Sequence, residues 1–257
     1  FHGRSMGALS VTGSDAYREP FEPLVPGVSF AEFNNLDSVK ALVTSQTCAI
    51  ILEPLQGEGG INVATEEFMA GIRKLCDDEG ILMICDEIQC GMGRTGAMFA
   101  YQSYGTKPDI IAMAKAIGSG MPVGAFAMTE AVAGFSLEPG DHGTTYGGNP
   151  LACMAVSKTI EIFEKKNMIS HVQEIGDYLA ERLERLVQEK DCVIARKGKG
   201  LIQGIEISKP VGEVTNAALK EGLLVISARG NVIRLVPPLV IEKQHVDEMI
   251  DKLSKVL

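Results

Sequence analysis

The chain has 257 residues, with 24 lysines and arginines against 33 aspartates and glutamates, a formal charge of −9 and a pI of about 5.1. That acidity argues against nucleic acid or an anionic membrane surface as a partner, because both need a dense basic footprint. With 46% hydrophobic and 22% charged residues the composition excludes global disorder, and the length allows a substantial core and two domains.

The opening residues, Phe1-His2-Gly3-Arg4, carry no initiator methionine and no cap signal, so the chain reads as one entered partway through a longer protein. A continuous apolar run at 48–52 predicts a strand. After a glycine-rich turn, Phe68, Ile72, Leu75 and Cys76 share one helical face, with Thr65 as N-cap and Glu66 and Glu67 at the positive end of the helix dipole. Further apolar runs at 81–85, 110–114 and 123–128 lack polar alternation, which predicts strands buried on both faces of an α/β sheet. None approaches the ~20 residues of a membrane span. The connection from 114 to 123 is shorter than the dozen or so residues that a parallel crossover needs. The last strand is therefore expected to be antiparallel, in a mixed, mostly parallel sheet flanked by helices.

Asn149-Pro150 supplies an N-cap and an N1 proline for a helix with Ala152, Ala155, Val156, Thr159, Ile160 and Phe163 on one face. A domain boundary is expected here, between a large α/β domain over 1–150 and a smaller C-terminal α+β domain over 151–257. The second part reads as an amphipathic helix (Ile175, Leu179, Leu183, Leu186), short strands at 201–207, 223–226 and 232–236, and a last helix carrying Val246, Met249, Ile250 and Leu253.

Six cysteines (Cys48, Cys76, Cys85, Cys90, Cys153, Cys192) form no CxxC pair and read as reduced core thiols of a cytoplasmic protein. The four histidines show no HExxH spacing, so no metal is expected. Gly91-Met-Gly93-Arg-Thr-Gly96 is a literal GxGxxG, but Asp86-Glu-Ile-Gln-Cys90 separates it from the preceding strand. A dinucleotide site needs those glycines in the turn directly after the strand, so they are expected to shape a turn instead.

Asp86 and Lys115 carry more information, because each lies just after a continuous apolar run. Ligands of α/β sheets bind at the carboxyl ends of strands, and a charge emerging there from a buried strand is costly unless something pairs with it. A lysine amine at such a desolvated position has a lowered pKa and can condense with a carbonyl. A buried carboxylate beside it meets the need of a pyridoxal-phosphate ring, which draws electrons only while its pyridine nitrogen stays protonated.

Five ordered motifs carry a resemblance: Phe1-His-Gly-Arg4, Glu53-Pro-Leu-Gln-Gly-Glu58-Gly-Gly, Asp86-Glu-Ile-Gln89-Cys-Gly-Met-Gly-Arg-Thr-Gly96, Ala114-Lys115, and His142-Gly-Thr-Thr-Tyr-Gly-Gly-Asn-Pro150. Together they resemble the class III, or ω-amino, pyridoxal-phosphate aminotransferases over the whole chain. The likeness implies the fold-type-I architecture and a chain that lacks roughly the first third of such an enzyme, including most of the phosphate cradle.

By that resemblance Lys115 is the lysine that holds the cofactor and carries protons, and Asp86 is the partner of the pyridine nitrogen. Gln89 would bond the ring hydroxyl, while Ile88 and Phe1 would pack on opposite ring faces. Thr145 would bind the phosphate of a neighbouring subunit's cofactor, with Thr144 as the alternative, so a homodimer with shared sites is implied. Arg4 would hold the α-carboxylate of the ω-amino substrate and Arg234 that of glutamate or 2-oxoglutarate, a task suited to guanidinium. Glu58 would neutralise Arg234 while the first substrate is bound.

The implied activity is transfer of the terminal amine of N-acetylornithine to the 2-oxo acid 2-oxoglutarate. Ornithine, succinylornithine or 4-aminobutyrate are alternative donors. An inactive or dimerisation-only fragment and a dinucleotide-dependent oxidoreductase are readings from other classes.

Overall fold

The structure, a computed structural model, describes residues 3–257. Short helices α1 (Met6–Ser10), α2 (Asp15–Arg18) and α3 (Leu36–Lys40) lead to β1 (Ala49–Leu52) and to a two-stranded ribbon of β2 (Leu55–Gln56) and β3 (Asn62–Val63). Helix α4 (Glu66–Glu79) starts at the expected cap, where Thr65 Oγ1 accepts the Phe68 N–H at 3.1 Å. Strands β4 (Leu82–Asp86), β5 (Ile110–Met113) and β6 (Ala125–Met128) complete a sheet of order β1-β4-β5-β6. Its pairs are parallel except β5 with β6, so the mixed sheet expected from the short connection is present.

Within these 257 residues, α4 covers one face of the first sheet. Ile50, Leu52, Met83, Cys85 and Ile111 pack with Phe68, Met69 and Ile72 of α4. Alternate side chains point the other way, where Ile51 is 46% exposed, and the outer strand β6 leaves Phe126 42% exposed. Side chains of a pleated strand alternate, so one helical layer covers only one of its faces.

Helix α5 (Glu130–Ser136) and an exposed loop precede α6 (Pro150–Lys165), whose Asn149 cap accepts the Ala152 N–H at 3.0 Å. Helix α7 (Met168–Glu189) follows, then β7 (Val193–Lys199), β8 (Ile202–Ile207), α8 (Val211–Lys220), β9 (Ile226–Ala228), β10 (Val232–Leu235) and α9 (Lys243–Val256). The four strands form an antiparallel sheet of order β7-β8-β10-β9. Val172, Ile175, Leu179, Leu183 and Leu186 of α7 share its core with Val246, Ile250 and Leu253 of α9. Each fully buried leucine contributes about 1.5–3 kcal/mol, so this face rather than helix propensity holds α7 in place.

Three sequence expectations shift here. The strand expected at 223–226 lies at Ile226–Ala228, with Leu224 81% exposed ahead of it. Strand β7 was not expected, because Arg196, Lys197 and Lys199 break its apolar pattern. Cys48 and Cys153 are exposed rather than core thiols: Cys48 precedes β1, and Cys153 lies on the outer face of α6. Among the described residues no helix is long and apolar enough to cross a membrane.

Candidate active site

Parallel pairing brings three charged side chains to one edge of the first sheet. The register sets Leu52 opposite Cys85 and Asp86 opposite Ala112. Glu53 therefore leaves β1 beside Asp86 at the end of β4, and Lys115 follows the end of β5, the next strand. Glu53 and Asp86 are both buried. The sequence reading gave Glu53 no role, although it follows an apolar strand in the same way as Asp86.

Asp86 shapes the loop that follows it. Its Oδ1 accepts the Ile88 N–H at 3.0 Å, a turn that leaves Ile88 and Gln89 half-buried beside the strand end. Glu87, also buried, accepts N–H bonds from Ala100 at 2.9 Å and Tyr101 at 2.8 Å, with Cys90 Sγ at 3.3 Å. Burial pushes the Glu87 carboxyl up, against the pull of those donors.

Lys115 opens a 3-10 turn with φ at +50°, in the left-handed region that non-glycine residues seldom adopt. The residue as a whole is exposed, yet its amine is partly dehydrated. Burial lowers its pKa to about 8, outweighing Glu58, Asp86 and Glu53, which favour the charged form; Arg234 lowers it further. Those four groups therefore lie within electrostatic reach of the amine.

The second sheet reaches the site through Arg234. Arg234 sits on β10, paired with Gly204 of β8 and Ile226 of β9, and is 8% exposed. Its Nη1 donates to Glu58 Oε1 at 2.8 Å, and the same oxygen accepts from Gln89 Nε2 at 2.9 Å. Burial raises the Glu58 pKa, but those hydrogen bonds and the charges of Arg234 and Lys115 hold it below the usual carboxylate range. Gly57 makes room for the contact, since a Cβ there would lie 1.8 Å from Gln89 Oε1.

Asp86, Gln89, Lys115, Glu58 and Arg234 thus share one hydrogen-bonded and charge-coupled cluster, with Ile88 between Asp86 and Gln89. Other sequence-predicted residues stand outside it. Arg4 places its guanidinium over the Tyr17 ring, 3.6 Å from the centroid. Thr144 and Thr145 lie on an exposed turn before α6, where the Thr144 carbonyl accepts the Gly147 N–H at 3.0 Å. Phe1 lies outside the described residues. The GxGxxG segment is a packed turn: Gly93 has φ +79°, and a Cβ there would meet Phe163 of α6 at 2.6 Å. The short 3-10 turn that follows it, Ala100–Tyr104, has its Ala100 and Tyr101 N–H groups taken by Glu87 rather than open to a phosphate.

This donor set suits the cofactor that the resemblance implies. A partly dehydrated primary amine can condense with an aldehyde, and a buried carboxylate can pair with a protonated ring nitrogen. The buried Nε of Arg234 finds no hydrogen-bond partner among the described residues, which leaves a donor for a substrate carboxylate.

Comparison with known proteins gives an independent view. The Aminotransferase class-III family model matches residues 1–257. The chain is 44% identical to the acetylornithine aminotransferase of Aquifex aeolicus, covering 100% of this chain and 66% of that protein. It is 42% identical to the acetylornithine aminotransferase of Methanocaldococcus jannaschii, covering 100% of this chain and 64% of that one. The chain thus spans about two thirds of the length of these curated relatives. An ornithine aminotransferase structure from Toxoplasma gondii, with partial occupancy of pyridoxal phosphate at its active site, superposes with a TM-score of 0.91 at 28% identity. That match covers 100% of this chain and 61% of the other.

Proposed function

This chain belongs to the class-III aminotransferase family, and we propose that in the full-length protein it carries the centre that moves the terminal amino group of N-acetylornithine to 2-oxoglutarate. The observation that carries the reading is the partly dehydrated Lys115 amine next to buried Asp86 at the ends of adjacent parallel strands. The donor assignment is supported by the 42–44% identity to acetylornithine aminotransferases over the whole chain.

Pyridoxal phosphate, when bound, supplies an aldehyde that takes up amines and a protonated ring that draws electrons from the carbon bearing the substrate nitrogen. Lys115 Nζ would hold the cofactor, and its lowered pKa would suit the freed amine to serve as base and then acid for the proton on the carbon bearing the substrate nitrogen. The Asp86 carboxylate keeps the ring nitrogen protonated. Gln89 would bind the ring hydroxyl, and Ile88 and Phe1 would help to hold the ring. Thr145, or Thr144 in its stead, holds the phosphate of the neighbouring subunit's cofactor in a homodimer.

Arg4 grips the carboxylate of the amino donor. Arg234 grips that of glutamate or 2-oxoglutarate, and Glu58 covers Arg234 while the donor is bound and withdraws for the dicarboxylate. Two half-reactions through one site give ping-pong kinetics. We assign residues 1–150 to the cofactor-binding domain and 151–257 to the smaller one, in keeping with the two separate sheets. The six unpaired cysteines suit a reducing cytoplasm.

The test is kcat/KM of the full-length protein for N-acetylornithine, ornithine, succinylornithine and 4-aminobutyrate. N-acetylornithine should lead the series. A higher value for any other donor overturns the donor assignment.

A further inference from the structure

Arg94 lies inside the packed glycine turn, between Gly93 and Gly96, in the loop that begins at Asp86. Its main-chain carbonyl accepts the Leu201 N–H at 2.9 Å. Its Nη1 donates to the carbonyls of Leu201 at 3.0 Å and Pro237 at 2.5 Å. Leu201 immediately precedes β8, and Pro237 lies just beyond β10. The pairs Arg234 with Gly204 and Leu235 with Gln203, continued in the same register, set Pro237 opposite Leu201. Proline has no N–H to offer across the ladder, and the guanidinium supplies a donor there.

One loop therefore reaches the Arg234 strand at two points. Gln89 meets Arg234 through their shared oxygen on Glu58, and Arg94 closes the end of the ladder that carries Arg234. Burial lowers the Arg94 guanidinium to a pKa of about 10. Burying a cation against carbonyls alone is costly, so a side chain that only filled space there would not need the charge.

We propose that Arg94 is a positioning residue for the dicarboxylate half of the reaction, locking the β8–β10 pair against the Asp86–Gln89 loop and so fixing Arg234 relative to Lys115. The proposal rests on the assignment of Arg234 to the glutamate and 2-oxoglutarate carboxylate. The amino donor is gripped by Arg4 in a different segment, so its half-reaction does not depend on this lock.

The test compares full-length holoenzyme with Arg94→Met and Arg94→Lys. Calorimetry reads the affinity for glutarate, a five-carbon dicarboxylate that cannot react, and single-turnover kinetics reads each half-reaction. In Arg94→Met, glutarate should bind about tenfold more weakly and the glutamate half-reaction should slow to match, with the N-acetylornithine half-reaction within about twofold of wild type. Arg94→Lys should recover part of the loss, because an ammonium can donate to both carbonyls. If Arg94→Met does not fold, Arg94→Lys must itself show weaker glutarate binding with an unchanged donor half-reaction. Unchanged glutarate affinity in a folded variant, or equal loss in both half-reactions, overturns the proposal. Failure of the underlying reading shows separately: Arg234→Met would bind glutarate as tightly as wild type, and the proposal would fall with it.

Discussion

Gln89 and Arg234 donate to the same atom, Oε1 of Glu58, at 2.9 and 2.8 Å. The bridge joins the loop after β4 to the second sheet and keeps the Arg234 charge paired. Arg234 is almost wholly buried, but the Glu58 side chain is 44% exposed, so solvent screening limits the pair's strength. A contribution on the order of 1 kcal/mol corresponds to a factor of five to ten. Glu58→Gln, which keeps the acceptor and removes the charge, should shift the ratio of half-reaction rates toward glutamate and away from N-acetylornithine by about that factor. Single-turnover rates with each amino donor check it, and an unchanged ratio contradicts the role.

Gly57→Ala tests the space beside that bridge. The new Cβ would occupy the place of Gln89 Oε1, the far end of a flexible side chain, so the amide is expected to swing away while the fold persists. Losing its hydrogen bond to the ring hydroxyl should weaken pyridoxal-phosphate binding by about five- to tenfold. Equilibrium dialysis measures the affinity, and circular dichroism confirms that the variant is folded.

Lys115 sets a pH dependence of stability in the cofactor-free protein. Its folded pKa of about 8 lies below the ordinary lysine value of 10.5. Between those values the unfolded chain binds a proton that the folded chain does not, so this residue makes stability rise with pH across that window. Below pH 8 both states are protonated and the cost of burying the charge is fully present. Lys115→Met should therefore be more stable than wild type at pH 7, with the difference shrinking to nothing near pH 10.5. Urea denaturation across this range measures it, and parallel pH profiles for the two proteins contradict it.

Asn149→Ala probes a cap that the sequence itself announces. Removing the acceptor for the Ala152 N–H should cost about 1 kcal/mol, read as a lower denaturation midpoint at unchanged slope. The cap starts α6, whose Phe163 packs over Gly93, so a larger loss accompanied by slower catalysis would place Asn149 closer to the site than its contacts do.

Local chemistry explains which features could be read from the sequence. Thr65 and Asn149 announce their helices because a cap acts within one turn. The antiparallel direction of β6 followed from the length of one connection. Asp86 and Lys115 stood out because a charge at the end of a buried strand is expensive. Glu53, buried just past β1, gives the same signal. The Glu58 bridges span 31 and 176 residues of sequence, and the Arg94 contacts 107 and 143, separations at which no local pattern acts.

The most direct test of the central claim is to add pyridoxal phosphate to the full-length protein, reduce with borohydride, and map the pyridoxyl group by mass spectrometry. The account predicts a single modified residue, Lys115, with Asp86→Asn leaving the label in place while slowing turnover by about a thousandfold. A label on any other lysine, or full turnover in Asp86→Asn, would contradict it.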